Sequence, residues 1–281
     1  MSSFTISGFS DEIDKDIDTQ FSVLNKLGIK YFEPRGINGV NISRLEENQI
    51  SELKAKMKEY GISVSSIGSP VGKVGISEDF GPHFKIFKRT VATAKSLDTK
   101  YIRIFSFYPS EGGHMKDYRE QVLEKLSKMI DYAKAEGVVL LHENEKGIYG
   151  DTGERCLDLM ETLGCDSFRA VFDPANFVQC GEDTKKCYEM LSPYIEYMHI
   201  KDALADERVV PAGYGIGNVK FILKALKEKG YEGFLSLEPH LGSFEGLADL
   251  ELDDKMESLP KGGEGTFTVA FNALNEILSE I

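Results

Sequence analysis

Hydrophobic positions along the chain repeat in a unit of helix, glycine and short apolar strand. Around residues 50–60 the apolar side chains recur at helical spacing, which predicts an amphipathic helix, and Gly61 predicts its end. The apolar run at residues 63–67 follows and predicts a strand. The same order recurs before Gly137 and again before Gly230. Such a chain alternates helices with strands.

Strands of this kind are predicted eight times, and each is followed by helical sequence. They cover residues 4–8, 30–33, 63–67, 101–105, 138–143, 169–172, 197–200 and 234–238. The alternation predicts parallel pairing with right-handed crossovers. An open doubly wound sheet is the competing architecture, but regular units without a break in composition favour closure. We therefore predict an α/β fold, a single (β/α)₈ TIM barrel.

One domain covering residues 1–281 accounts for the whole sequence. Barrels of this kind run to about 250 residues as one domain, and a hydrophobic content of 41% is enough for a sizeable core. No linker or low-complexity run divides the chain. We interpret the acidic, glycine-containing stretch at residues 247–265 as an elaborated strand-to-helix loop before a last helix at about residues 266–281.

The charge and the cysteines bear on partners and compartment. A net charge of −13 and a pI near 5.0 describe an acidic surface that repels nucleic acids and anionic membranes. No apolar run reaches the length of about 18 residues that a membrane span requires, and no signal peptide is apparent. The 4 cysteines form no C-x-x-C pair, which favours free thiols. We expect a cytoplasmic protein without nucleic-acid or membrane partners.

Polar side chains cluster where four predicted strands end. Strand five ends at Glu143, strand six is followed by Asp173, strand seven contains His199, and strand eight ends at Glu238. These strand ends form the active-site face of a barrel, and side-chain alternation lets all four point inward. Three carboxylates and an imidazole together need a cation, because like charges otherwise raise one another's pKa values. The set suits one divalent metal ion, Mn²⁺ first, with Mg²⁺, Co²⁺ and Zn²⁺ as alternatives.

Each of these residues alone also has an ordinary structural interpretation. A strand-end carboxylate more often caps a helix, and a lone histidine is more often a satisfied core residue. Four such residues at consecutive strand ends are much less expected by chance. His142 should face the helices in a structural role, whereas His240 is close enough along the chain to face the site.

Further polar groups are candidates for substrate contact. Lys201 is two residues beyond His199 and should share its face, while Glu33 and Arg35 flank Pro34 at the end of strand two. Each of these charges could equally form a surface ion pair. The glycine-rich segment at residues 213–217 has a weak G-x-G pattern outside any dinucleotide-binding context, and we interpret it as a flexible loop.

Taken together, the motifs resemble a known family over nearly the whole chain. They are Gly8-Phe9-Ser10-Asp11-Glu12, Ser66-Ile67-Gly68-Ser69-Pro70, Ile102-Arg103-Ile104-Phe105-Ser106, His142-Glu143-Asn144, Phe172-Asp173-Pro174-Ala175-Asn176, His199-Ile200-Lys201-Asp202 and Leu237-Glu238-Pro239. This combination resembles the sugar phosphate isomerase/epimerase family of the xylose isomerase-like TIM barrels.

The resemblance implies a metal site and an acid–base pair. The residues implied to bind one divalent cation are Glu143, Asp173, His199 and Glu238. In the ketose epimerase branch, the residues matching Glu143 and Glu238 also form the acid–base pair. That branch often has a substrate-binding histidine where this chain has Asn176, which makes Asn176 a candidate contact here. Arg208 is the candidate for the branch's substrate-binding arginine after strand seven.

The expected activity is isomerisation or epimerisation of a ketose, sugar phosphate or related polyol carbonyl compound, by proton transfer next to the carbonyl. A dehydratase of an inosose-like substrate would use the same machinery. An endonuclease on a related barrel uses several metal ions and many histidines, whereas this chain has 5 histidines and a net charge of −13. A non-catalytic sugar-binding protein has no need for two opposed carboxylates on a metal. The sequence leaves the substrate and the oligomeric state open, a homo-oligomer included.

Overall fold

The structure is a computed structural model that describes residues 4–241 and 262–281. Within these ranges, eight parallel strands form the centre of the fold. Their bounds are β1 Thr5–Gly8, β2 Tyr31–Phe32, β3 Ser63–Val64, β4 Tyr101–Ile104, β5 Val139–Glu143, β6 Phe168–Phe172, β7 Ile195–Ile200 and β8 Phe234–Leu237.

Helices alternate with these strands along the chain. In the described ranges the α-helices are α1 Ile17–Lys26, α2 Glu47–Tyr60, α3 Phe80–Ser96, α4 Arg119–Glu136, α5 Gly153–Leu163, α6 Pro174–Gln179, α7 Thr184–Leu191, α8 Val219–Glu228 and α9 Glu264–Ser279. None of them is long and apolar enough to cross a membrane.

The strands pair in a ring. Six of the described strands are hydrogen-bonded in the order β1, β8, β7, β6, β5, β4, and β2 pairs with β3. Between β1 and β2, the N–H of Glu33 donates to the carbonyl of Gly8 at 2.9 Å. Between β3 and β4, the N–H of Ile67 donates to Tyr101 and the N–H of Arg103 to Ile67, each at 2.9 Å. These bonds close the ring, so the predicted TIM barrel is confirmed over the open sheet.

Local sequence signals begin and end the helices, and the ends at the glycines are the ones predicted. The carboxylate of Asp16 caps α1 by accepting the N–H of Thr19 at 2.9 Å. Gly61 and Gly137 follow α2 and α4 in the left-handed conformation, with φ of 64° and 74°. Glycine adopts this conformation without the steric penalty that a Cβ atom causes. The predicted unit of helix, glycine and strand is confirmed at both positions.

Two short antiparallel hairpins extend the loops and have no counterpart among the predicted strands. The first is formed by Gly36–Ile37 and Val40–Asn41, and the second by Asp202–Ala203 and Val209–Val210. The first turns at Asn38 and Gly39, with φ of 49° and 77°. An Asn-Gly pair favours this turn because both central residues need positive φ. The signal for that hairpin was therefore present in the sequence.

Some predicted boundaries differ from the structure. β2 and β3 are shorter than the predicted residues 30–33 and 63–67, although Glu33 and Ile67 still make the bonds that close the ring. The last helix begins at Glu264 rather than at about residue 266. Most of the predicted loop at residues 247–265 lies outside the described residues.

The barrel interior changes from apolar to polar towards the C-terminal ends of the strands. Two residues before the strand-end carboxylate Glu143, the side chain of Leu141 packs with Val171 and Tyr197. The hydroxyl of Tyr197 lies 2.8 Å from that of Ser65, in a buried polar layer. The charged side chains near the C-terminal ends of the strands therefore lie above a packed apolar layer.

Candidate metal centre

Four strand-end side chains meet at the top of the barrel. Glu143 ends β5, Asp173 follows β6, His199 lies in β7 and Glu238 follows β8. One ligand atom from each can be chosen so that all lie within 4.8 Å of one another. These residues are buried, with exposed fractions from 0% to 3%. The structure thus brings together the side chains that the sequence predicts as metal ligands.

His199 is held between carboxylates on both sides of its ring. Its Nδ1 lies 2.8 Å from Glu143 Oε1 and 3.8 Å from Glu238 Oε2. Its Nε2 lies 3.2 Å from Glu33 Oε2, on the opposite side. The ring of Phe9 packs edge-on against it, with centroids 5.1 Å apart. Nδ1 is therefore the ring nitrogen that faces the other candidate ligands.

Asp173 has one oxygen committed to structure and one that is not. Its Oδ1 accepts the backbone N–H of Asn176 at 3.0 Å and caps α6. Its backbone is clamped by the side-chain amide of Asn144, through two bonds of 2.9 Å. Its Oδ2 is buried and accepts no hydrogen bond from the described residues. A buried carboxylate oxygen that accepts no hydrogen bond from the described residues and has Lys201 as a charged neighbour at 3.2 Å fits a divalent cation in this donor set.

Two buried cations lie beside the carboxylates. Lys201 Nζ donates to Glu238 Oε2 at 2.8 Å and lies 3.2 Å from Asp173 Oδ2. Arg35 Nη1 lies 3.4 Å from Glu238 Oε1, while its Nε and Nη2 donate to Asp11 at 2.9 and 3.0 Å. Glu238 is therefore contacted by cations at both of its oxygens, and Lys201 shares the face of the barrel that its spacing from His199 predicts.

Arg103 contacts the cluster formed by the four candidate ligands. The sequence analysis assigns no role to this arginine. Its Nη1 donates to Glu143 Oε2 at 3.1 Å. Its guanidinium carbon lies 5.1 Å from the ring centre of Phe9 and 4.8 Å from that of Phe105. The signal that could have identified it is a single basic residue inside the otherwise apolar strand β4. Burying such a charge requires a partner, and Glu143 is that partner.

Burial and neighbouring charges separate the pKa values of the carboxyl groups. Burial would raise the pKa of Glu143, but His199 and Arg103 beside it lower the value to about 2. Burial raises the pKa of Asp173 to about 7, because Lys201 offsets only part of the penalty. The charge of Asp173 is thus poorly compensated by its surroundings, which fits a site that takes an additional positive charge.

The other predicted contact residues divide into two groups. Glu33, Arg35, Lys201 and Asn176 are buried in or next to the cluster. The Nδ2 of Asn176 donates to the carbonyl of Asn144 at 2.9 Å and to Glu143 Oε1 at 3.3 Å. Arg208 is not brought into the cluster. Its side chain is 72% exposed and binds Asp206 at 2.8 Å, because both lie where the hairpin after β7 turns into solvent.

Two of the histidines lie beside the cluster and differ in role. His142 points away from it, is 1% exposed, and lies 3.0 Å from Ser106 Oγ through Nε2. Burial lowers the pKa of His142 to about 4, which agrees with the predicted structural role. His240 borders the cluster, with its Nε2 3.3 Å from Glu238 Oε1 and 3.4 Å from Glu12 Oε1.

The glycine-rich segment at residues 213–217, which the sequence predicts as a flexible loop, is hydrogen-bonded to one carboxylate. It is anchored by the carboxylate of Asp202, which also accepts the N–H of Ala203 at 2.8 Å. The other donors are the N–H groups of Gly213, Gly215 and Gly217, at 3.1, 3.1 and 2.7 Å. A Cβ atom on Gly215 would lie 2.4 Å from the same carboxylate. The glycines therefore permit close approach to Asp202, which the weak G-x-G pattern alone does not indicate.

A cavity of about 40 Å³ opens beside the cluster. Its lining consists of Lys73, Arg103, Glu145, Asn176, Gln179, Lys201, Glu238 and His240. Lys73 and Glu145 are paired at 2.9 Å in this lining. A larger cavity of about 390 Å³ lies beside α1 and α2 and is lined by none of the candidate ligands. The candidate metal centre therefore borders the small cavity, through Glu238, and not the larger one.

Fold and sequence together define the family. The chain belongs to the xylose isomerase-like TIM barrel family, which its residues 21–260 match. This result confirms the resemblance inferred from the strand-end motifs.

Individual relatives are more distant. An inosose isomerase of Halalkalibacterium halodurans is 26% identical over 161 residues, which are 54% of this chain and 57% of that protein. The match thus spans little more than half the length of that relative. The crystal structure of the IOLI protein with a zinc atom is 19% identical, covers 99% of both chains, and has a TM-score of 0.76. A xylose isomerase-like barrel from Mycobacterium smegmatis in complex with magnesium is 16% identical, covers 98% of this chain and 97% of that one, and has a TM-score of 0.69.

Proposed function

We propose that this protein is a divalent-metal-dependent isomerase or epimerase of a ketose, sugar phosphate or related polyol carbonyl compound. The observation that carries the proposal is the buried group formed by Glu143, Asp173, His199 and Glu238, whose ligand atoms lie within 4.8 Å of one another. Oxygen donors with one ring nitrogen suit a single divalent cation, Mn²⁺ first and Mg²⁺, Co²⁺ or Zn²⁺ otherwise.

The residues of the chain would divide the work of proton transfer. A bound divalent cation would polarise the substrate carbonyl and acidify the neighbouring C–H bond. Glu143 and Glu238 stand on β5 and β8, with β6 and β7 between them in the ring. One of the two accepts the proton from carbon and the other returns a proton to the opposite face. Arg103 and Lys201 orient these carboxylates through the bonds of 3.1 and 2.8 Å.

The names of related proteins support the same assignment. The sequence relative is called an inosose isomerase, which is an isomerase of a cyclic polyol ketone. Structural neighbours contain zinc and magnesium, two of the ions that suit the donor set of this chain. We propose on this basis a small sugar-like substrate and one divalent ion for this chain.

Dehydration of an inosose-like substrate is the second candidate. Lys201 favours it, because its ammonium group lines the small cavity, where it could donate a hydrogen bond to a departing hydroxyl that receives its proton from a glutamate. In that reaction the proton from carbon goes to a glutamate and the hydroxyl leaves as water. The product is unsaturated, which separates this candidate from isomerisation.

The charge and the cysteines of the chain bear on its partners and its cellular location. The net charge of −13 disfavours nucleic acids and anionic lipids as partners. Among the residues described, Cys156, Cys165, Cys180 and Cys187 are all free. A reducing cytoplasm suits free thiols, and we propose this location. A homo-oligomer is compatible with the proposal.

The test is a substrate screen with metal-loaded protein in heavy water. Ketoses, ketose phosphates and inososes are each incubated with the Mn²⁺ form of the protein. The products are separated, and their masses are measured by mass spectrometry. An isomer with one deuterium on the carbon next to the carbonyl is the expected result. Failure of all three substrate classes with metal-saturated protein would refute the proposal. A product without deuterium would instead favour a direct hydride shift over proton transfer through the two glutamates.

A further inference from the structure

Beneath the candidate metal centre lies a carboxylate that faces away from the small cavity. Glu33 follows β2 and is 0% exposed. Its Oε2 lies 3.2 Å and its Oε1 3.4 Å from Nε2 of His199. The residues that line the small cavity do not include it. Its carboxylate thus faces the ring of His199 from the side opposite Glu143, although the sequence analysis names Glu33 as a candidate substrate contact.

Glu33 is itself fixed by a buried chain of hydroxyl groups. The hydroxyl of Tyr197 donates to Glu33 Oε2 at 3.0 Å. The same hydroxyl lies 2.8 Å from Ser65 Oγ, which lies 2.6 Å from Ser7 Oγ. These residues are 0–1% exposed. The chain crosses the barrel interior from β1 to β7, so the position of Glu33 is set by strands on several sides.

The two ring nitrogens of His199 face different partners. An ionised carboxylate only accepts hydrogen bonds, so the nitrogen next to Glu33 must carry a proton. That nitrogen is Nε2. Nδ1 also faces a carboxylate, that of Glu143, and shares a proton with it while no metal is bound, but it is the ring nitrogen that lies among the candidate ligands and would give up its proton to bind a metal. Nδ1 is also the nitrogen nearest to Glu143 and Glu238, at 2.8 and 3.8 Å.

We propose that Glu33 is a positioning residue that holds His199 with Nε2 protonated and Nδ1 directed at the metal. The inference rests on the metal centre of the proposed function, and it assigns to Glu33 a structural task at that centre instead of substrate contact. A carboxylate partner fixes the tautomer and orientation of a metal-ligating histidine and strengthens the ligand. Tyr197 acts one step further away, because it orients Glu33.

The test uses Glu33→Gln, with Glu182→Gln as the matched control. Glutamine keeps the size of the side chain but accepts a weaker bond from Nε2–H, since the negative charge is lost. Glu182 also accepts hydrogen bonds, from the N–H of Gly153 at 3.1 Å, but it lies outside the barrel top. Zn²⁺ affinity is measured by competition calorimetry, and the Nε2–H signal of His199 by nitrogen-15 NMR of the Zn²⁺ form.

The expected result is a loss of about tenfold in Zn²⁺ affinity for Glu33→Gln, with faster exchange of the Nε2 proton. Glu182→Gln should match the wild type in both measurements. Unchanged affinity and an unchanged Nε2–H signal in Glu33→Gln would overturn the inference, as would equal losses in both variants. If Glu33→Gln does not fold, Tyr197→Phe serves in its place: faster Nε2–H exchange supports the inference, and an unchanged signal overturns it.

Failure of the metal centre itself has a different signature. If the wild type bound no metal, the proposed function would fail, because its ligands would have no ion to hold. The Nε2–H signal of His199 would still be compared between the metal-free wild type and Glu33→Gln. A slowly exchanging signal in the wild type that is lost in the variant keeps the positioning role of Glu33, and its absence in both removes it.

Discussion

Replacing either proposed base should abolish turnover without unfolding the protein. Glu143→Gln and Glu238→Gln keep the side-chain size and one ligating oxygen but cannot accept a proton. Loss of a general base typically lowers the rate by about 10²–10⁴-fold, which corresponds to about 2.7–5.5 kcal/mol of activation free energy. Each glutamate is also a proposed ligand, so metal must be saturating before the rates are compared.

The structure predicts that the two variants differ in stability. Glu238 accepts from Lys201 at 2.8 Å and from Arg35 at 3.4 Å, and both cations are at most 4% exposed. Removing its charge weakens the contacts with Lys201, Arg35 and His240, whereas Glu143→Gln weakens those with Arg103 and His199. A hydrogen bond to a charged group contributes about 1.5–3 kcal/mol. Glu238→Gln should therefore lose more free energy of unfolding than Glu143→Gln, by an amount of that order.

The assay combines turnover, metal content and urea unfolding on the same preparations. The substrate identified by the screen is incubated in heavy water, and deuterium in the product is measured by mass spectrometry. Glu120→Gln, on the exposed start of α4, serves as the control and should behave like the wild type. Wild-type turnover of both variants at saturating metal would refute the acid–base roles. Equal unfolding free energies for the two variants would contradict the expectation that the charged contacts of Glu238 stabilise the fold more than those of Glu143.

Three shorter predictions test the metal site, the backbone and the choice of ligand. Metal analysis of protein purified without chelator should find about one ion per chain, and His199→Ala should lose it, as expected for a lost ligand; full occupancy in that variant would contradict the site. Gly72→Ala should lower the urea midpoint far more than Gly28→Ala, because both residues have positive φ but only at Gly72 would a Cβ atom lie 2.1 Å from the carbonyl oxygen of Phe105. The positive φ costs about 1–2 kcal/mol in both variants, so equal midpoints would mean that the backbone at Gly72 relaxes freely. Abasic-site DNA should show no tight, salt-dependent binding and no cleavage in gel-shift and nicking assays, because a chain with a net charge of −13 repels the phosphate backbone.

The barrel and its four candidate ligands can be predicted from the sequence because both follow from short-range patterns. The period of the apolar positions and the glycines after the helices determine the alternation of helix and strand. Once the strands are parallel, Glu143 and Glu238 must reach the same face of the barrel. No long-range information is needed to place strand ends together in a closed ring. The family resemblance then adds the roles that the pattern alone leaves open.

The surroundings of the ligands could not be predicted in the same way. Whether Arg103 or Arg208 belongs to the site depends on which strand or turn carries it, and an isolated charge is more often solvated than buried. The role of Glu33 depends on the distance between its carboxylate and His199, which are separated by 166 positions along the chain. The anchoring of the glycine segment depends on Asp202 in the same way. Pairings of this kind are set by tertiary geometry, which local patterns do not contain.

The charges buried in the upper barrel give a last argument for a divalent ion. The fully buried carboxylates among the described residues are Glu12, Glu33, Glu143, Asp173, Asp202 and Glu238, and the buried Arg and Lys side chains are Arg35, Arg103 and Lys201. The carboxylate of Asp202 is held by backbone N–H groups and needs no cation. Five carboxyl groups against three Arg and Lys side chains then leave an excess of two, which a protonated His199 offsets only in part, in a region where an uncompensated charge is costly. One divalent cation would compensate the remaining charge, and Asp173 Oδ2, which accepts no hydrogen bond from the described residues, indicates where it would be held.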